Sequence, residues 1–353
     1  MPSPSSRIAY LTAAVASAAL TACSSDSQQM TDEQYKQQIV AGMQTSLLTD
    51  INALLQASND VQTAAPTHAW NATTDGAAID KMKEAWTRAR TAYEHVEGAL
   101  APIFPDLDAS IDERYDGFLE VGPDDYLFDG MGVTGLHAVE RILYSAAIPA
   151  EVITFESGLA GYKAAAFPAT DQEAADFKNK LVARMIADAQ EFHDDWVPTK
   201  IPIGDAFKGL IDLMNEQREK VNNAFGGHEE SRYSQRTMAD LRDNLAGTTM
   251  IYSIFRPWLL TKGGSPSGME TDQAIQAGFT QLDNLYKTVP GDALPPAPVT
   301  WDPNNPSAAD LGTQFGQLYK QVRDAVDPMQ SGSIVGRMNA AAGLMGLPSF
   351  TKE

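Results

Sequence analysis

The chain has 353 residues, 43% of them hydrophobic, and carries 26 Lys and Arg against 46 Asp and Glu, a formal charge of −20. That hydrophobic fraction supports a folded core and sets the chain apart from disordered sequences. The acid excess excludes a phosphate-backbone binder, so no nucleic-acid partner is expected; it favours cations, metal ions among them, although acidity also serves plain solubility.

Arg7 precedes an apolar run from Ile8 to Leu20, too short for a typical membrane span. Leu20-Thr21-Ala22-Cys23 and the polar Ser24-Ser25-Asp26-Ser27 follow. Residues 1–22 read as a secretory signal peptide. The segment resembles a bacterial lipobox, with Cys23 as the lipidated first residue of the mature chain; an ordinary signal peptide with a chance cysteine is the alternative. Cys23 is the single cysteine, which excludes an intramolecular disulfide, a Cys-based zinc site and a CxxC motif. The expected location is extracytoplasmic, at the cell membrane through a lipid anchor, with residues 23–30 as a tether.

From Thr31 a capping pattern opens a helix with Ile39, Met43, Leu47, Ile51 and Leu54 at helical spacing. A second helix is expected over Gly76 to Leu100, with the stripe Trp86, Ala89, Tyr93, Val96 and Leu100, stopped by Pro102 and Pro105. An acid-rich loop over 106–129 follows, then a helix over 130–144. Further helices are expected at 151–165, 171–196 and 204–225. Residues 226–230 read as an exposed loop, from which Glu229 or Glu230 could reach a second site. Ser234 is expected to cap a long helix over 235–261, kinked near Pro257. Helices over 270–287, 307–328 and 331–345 complete the chain. With no sustained alternating apolar run, the class is all-α: two packed four-helix bundles, a candidate diverged internal duplication, divided into 31–200 and 201–353.

His137 and Glu140 in Gly135-Leu136-His137-Ala138-Val139-Glu140 stand at i and i+3, a spacing that lets an imidazole and a carboxylate bind one metal. The same spacing describes a helix histidine with a glutamate as hydrogen-bond partner. Glu94 and Glu97 repeat it beside the Trp86–Leu100 stripe, where a solvated face is the alternative. His95, turned about 100° away, is not expected as a co-ligand. Asp108 and Asp112 sit where the following loop could close over the site. Oxygen ligands with one imidazole suit iron as Fe2+ or Fe3+, and also Zn2+, Mn2+ or Ca2+.

The segment from Ala85 through Trp86, Ala89-Arg90 and Tyr93-Glu94 to Glu97, the loop from Asp106-Leu107-Asp108 to Asp112, the Gly-x-His-x-x-Glu motif, Arg232-Tyr233-Ser234 with Asp240, and Phe255-Arg256-Pro257 together resemble the imelysin-like family, in particular its EfeO/EfeM branch. The resemblance implies a pair of four-helix bundles. It implies a component of a bacterial iron uptake system that collects the cation and passes it to a membrane iron permease, with a haem peroxidase of the same system as a further partner. It places His137, Glu140, Glu94, Glu97, Asp112 and, less directly, Asp108 at the metal, with no catalytic residue. Too few residues precede Thr31 to hold the cupredoxin domain of the longer form, so the expected match is the shorter EfeM form; Gln235 stands where relatives often have histidine. Two other readings are open. A surface protein for an acidic polysaccharide or haem could use some of the five tryptophans. A metallopeptidase would need HExxH or HxxEH, but position 141 is Arg141.

Overall fold

The computed structural model describes residues 30–119, 124 and 126–350. The signal segment, Cys23 and the tether up to residue 29 lie outside the described residues. The chain begins with a long helix, α1 (Asp32–Ala64), followed by α2 (Gly76–Glu94), α3 (Glu97–Leu100), α4 (Pro105–Asp112) and α5 (Tyr115–Leu119). Next come α6 (Gly135–Leu143), α7 (Ala150–Ser157), α8 (Asp171–Asp176) and α9 (Val182–Trp196), the last two joined by a π-helical turn. The second half holds α10 (Ile203–Asn222), α11 (Thr237–Leu259), α12 (Gly268–Lys287), α13 (Ala308–Leu311), α14 (Gln314–Val326) and α15 (Ile334–Met345). No strand occurs among the described residues, and no helix there is long and apolar enough to cross a membrane.

Local chemistry sets several boundaries. Pro105 opens α4 at a position where the missing N–H costs nothing. Ser267 and Glu270 form a reciprocal capping box at α12, as Thr170 and Glu173 do at α8. Gly346, at φ +68°, closes α15 in the left-handed conformation that a side chain disfavours.

The apolar stripe of α1 (Ile39, Met43, Leu47, Ile51, Leu54 and Val61) is buried against α2 and α9. With α6 these form one bundle; α10, α11, α12, α14 and α15 form the other. A single apolar core runs through both, because α1 and α2 also pack on α11, and α3 packs on α10. The expected boundary near residue 200 falls in the α9–α10 turn.

Several expectations change. The helix expected over 130–144 starts only at Gly135, the one expected over 151–165 ends at Ser157, and the one expected over 307–328 is divided into α13 and α14. The helix expected over 76–100 breaks at His95–Val96, where α11 crosses closely at Gly247: a Cβ there would lie 2.2 Å from the His95 carbonyl oxygen. The acidic loop is partly helical, so Asp108 and Asp112 stand on α4. Ser234 caps nothing; α11 starts at Thr237, and the Ser234 N–H is drawn to Glu140 instead.

Candidate metal centre

One glycine places the histidine. Gly135 has φ +75°, and a Cβ on it would lie 2.2 Å from the Ile111 carbonyl oxygen, so α6 can begin against the end of α4 only without a side chain there. The Trp86 indole N–H donates to the Leu136 carbonyl at 2.9 Å and docks α6 on α2. Together these contacts bring His137 beside Asp112.

His137 is fully buried. Its Nδ1 lies 2.8 Å from Glu140 Oε2, while Glu140 Oε1 accepts the Ser234 N–H at 2.8 Å. Both Glu140 oxygens are thus engaged, and this carboxylate sits behind the ring and orients it. The opposite nitrogen, Nε2, has no hydrogen-bond partner and lies 3.5 Å from Asp112 Oδ1. An imidazole that gives its Nδ1 proton to Glu140 offers the Nε2 lone pair when neutral. Asp112, His137 and Glu230 each bring one donor atom to within 4.8 Å of the others. Burial and the Arg90 charge push the His137 imidazole down, but the neighbouring Asp112 and Glu140 carboxylates outweigh them and its pKa lies above the ordinary value.

Glu94 and Glu97 form a second group with Glu230, again within 4.8 Å. Here two cations already stand among the acids. The fully buried Arg90 guanidinium pairs with Asp112 and Glu94, meets Glu230 at 2.7 Å and approaches Asp240 to 3.7 Å. Lys220 Nζ lies 2.9 Å from Glu230, 3.5 Å from Glu97 and 3.9 Å from Glu94. The Asn244 amide donates to Glu94 and, at 2.8 Å, to Glu97, while its oxygen accepts from Lys220 at 3.1 Å. Burial still holds Glu94 and Glu97 above the ordinary carboxylate value, against the pull of Arg90 and Lys220. For Glu230, burial is outweighed by Lys220 and Arg90, which hold it low; for Asp112, burial is outweighed chiefly by Arg90. Burial lifts Asp108 to about 7 against the hydrogen bond it accepts from Tyr93, and lifts Glu216 to about 8.

Both groups open on one cleft of about 430 Å³. Its walls include Glu97, Asp108, Asp112, His137, Lys220 and Glu230. Of the six residues expected at the metal, four therefore face the cleft; Glu94 lies fully buried beneath Arg90, and Glu140 stands behind the imidazole. The sequence reading did not assign Glu230, Arg90 or Lys220 to the first site. Glu229 and Glu230 are buried rather than exposed. The other histidines are engaged elsewhere: His68 with Asp75, His95 with Asp50, His193 with Asp194, and His228 against the Phe155 ring. All five tryptophans are buried, so none offers a face for stacking sugars. Arg141, at the place a zinc motif would need histidine, is buried and paired with Glu156 at 3.0 Å.

The family model described as Imelysin (Peptidase M75) matches residues 44–297. The chain belongs to the imelysin family. This family member is 26% identical to a Staphylococcus haemolyticus "Efem/EfeO family lipoprotein", over 59% of this chain and 58% of that protein. It is 27% identical to the "Iron uptake system component EfeM" of Pseudomonas syringae, over 68% and 73%. It is 28% identical to the "Iron uptake system component EfeO" of Yersinia pseudotuberculosis, over 57% and 44%. The match thus spans less than two thirds of the Staphylococcus and Yersinia proteins. Among solved structures, an imelysin-like protein from Psychrobacter arcticum shares the fold, with a TM-score of 0.54 over 90% of this chain and 98% of that one at 12% identity.

Proposed function

We propose that this imelysin-family chain is the cation-collecting component of a bacterial iron uptake system. It binds Fe2+ or Fe3+ at Asp112, His137 and Glu230 and passes the ion to a membrane iron permease, with a haem peroxidase as a further partner of the system. Cys23 is its lipid anchor, and the protein works outside the cytoplasmic membrane. The observation that carries this reading is the His137 Nε2 atom: fully buried, without a hydrogen-bond partner, in the wall of an acid-lined cleft and within reach of two carboxylates. An imidazole held from behind by Glu140 is oriented as a metal-ligating histidine commonly is. The donors are oxygen and nitrogen, which suits iron and equally admits Mn2+, Zn2+ or Ca2+ as probes.

The relatives' names support an uptake component rather than a peptidase. Arg141 in place of the second histidine of an HxxEH motif argues the same way. Asp108 and Glu97 stand at the cleft wall, where they would pass the cation inward. Calorimetric titration of the metal-free protein with Mn2+, and with Fe2+ under exclusion of oxygen, tests the site. Binding in the wild type and its loss in His137→Ala are expected; undiminished binding in the variant would remove His137 from the site.

A further inference from the structure

Glu230 is shared by two donor groups, and only one of them is free of a resident cation at its centre. On the His137 side a nitrogen lacks a partner. On the Glu94–Glu97 side an ammonium occupies the position a cation would take: it lies 2.9 Å from Glu230, 3.5 Å from Glu97 and 3.9 Å from Glu94, with the Asn244 amide oxygen at 3.1 Å. We propose that Lys220 is the resident counter-ion of the Glu94–Glu97–Glu230 trio, displaced when a multivalent cation enters the cleft. This deepens the cation-binding reading above and rests on it.

Arg90 cannot play this part. Its fork is fully buried and fixed by carboxylates on α2, α4, α11 and the loop before α11. Lys220 is a single charge on a flexible four-carbon stem, and it stands in the cleft wall. It also has somewhere to go. Glu216 lies one turn earlier on α10, on the same helix face, and lines the same cleft. The ammonium can move to the Glu216 carboxyl oxygens while Glu230 and Glu97 turn to the incoming ion. Asn244 stays in place, held by the Gln217 amide, which is itself held by the Tyr286 hydroxyl.

The arrangement makes the cleft selective for charge density. A tethered ammonium is always at high local concentration, so a monovalent ion of the same charge gains nothing by replacing it. A divalent or trivalent ion seated at His137 gains more from Glu230 and Asp112 than an ammonium at the same distances does, and so draws Glu230 away from Lys220. Lys220 thus keeps the acids neutralised in the metal-free protein and raises the threshold that an entering ion must pass.

Two measurements on the full chain, both with Mn2+ as the probe, test this. In the first, surface lysines of the wild type are acylated with and without saturating Mn2+ and read by mass spectrometry. Lys220 labelling should rise at least fivefold with Mn2+, while the exposed Lys287 stays unchanged. In the second, Mn2+ is titrated into the wild type, Lys220→Gln and His137→Ala. Lys220→Gln should bind at least tenfold more tightly than the wild type. Unchanged or reduced Lys220 labelling at saturation, or binding by Lys220→Gln no tighter than the wild type, overturns the proposal. If Lys220→Gln does not fold, the wild-type labelling decides alone. The two readings fail separately: wild-type binding lost in His137→Ala keeps the site whatever Lys220 does, and binding by Lys220→Gln without any by the wild type keeps the counter-ion. Absence of Mn2+ binding in both removes both.

Discussion

The two donor groups share one carboxylate, Glu230, and solve opposite problems. On the Asp112–His137 side a buried ring nitrogen in the cleft wall is left without a hydrogen-bond partner. Arg90 serves both sides, pairing with Asp112 as well as Glu94, but on the Glu94–Glu97 side Lys220 adds a second cation and fills the space between the acids. Clustered acids would destabilise the fold if left alone, because burying an unpaired charge is costly. The comparison teaches that an acidic motif is not by itself a metal site. What distinguishes the two halves is which donor atoms remain free once the protein has satisfied its own charges.

The largest effect is expected from removing the internal answer. Arg90→Met leaves carboxylates on four sides without their guanidinium and should lower stability by about 3–5 kcal/mol, read by denaturant unfolding in chelator. An effect under about 1 kcal/mol would mean that the acids are neutralised by protonation instead. Next comes the open side: His137→Ala should weaken Mn2+ binding at least ~100-fold, about 2.7 kcal/mol, with little change in melting temperature beyond that of a buried truncation. Smaller again is the orienting carboxylate. Glu140→Gln keeps the shape and a weaker hydrogen bond to Nδ1, and should cost Mn2+ affinity about tenfold. A loss as large as that of His137→Ala would make Glu140 a direct ligand and merge its role with the imidazole's. The smallest effect belongs to the exposed pair Arg88–Asp60 on the outer faces of α2 and α1, 2.7 Å apart. Arg88→Ala should shift stability by less than about 1 kcal/mol and leave Mn2+ affinity unchanged.

The helices were legible because their apolar residues recur at helical spacing and their ends carry proline, glycine and capping hydroxyls. The break at His95–Val96 was not, since nothing local forbids a helix there; the crossing of α11 at Gly247, some 150 residues later, goes with it. The pairing of His137 with Glu140 was legible from spacing, but spacing could not say that the pair would bond to each other and leave only Nε2 for the cleft. Glu230 was hidden for a different reason: it sits in a polar loop that reads as exposed, and only the folded chain buries it beside Arg90. A signal for Arg90 was present. Trp86, Arg90 and Glu94 stand at i, i+4 and i+8, a row through the apolar seam, and a charged pair in such a row implies an internal ion pair rather than a solvated face. Lys220 carries no such signal, because its partners come from α2, α3 and the loop before α11.

The central claim is that the cation seats on the open side of Glu230. Anomalous X-ray diffraction at the manganese edge, on crystals of the metal-free protein soaked in Mn2+, tests it most directly. The account predicts a single strong peak within bonding distance of His137 Nε2 and of carboxylate oxygens from Asp112 and Glu230. A peak remote from His137, or one held by Glu94 and Glu97 with Lys220 still in place, would contradict it.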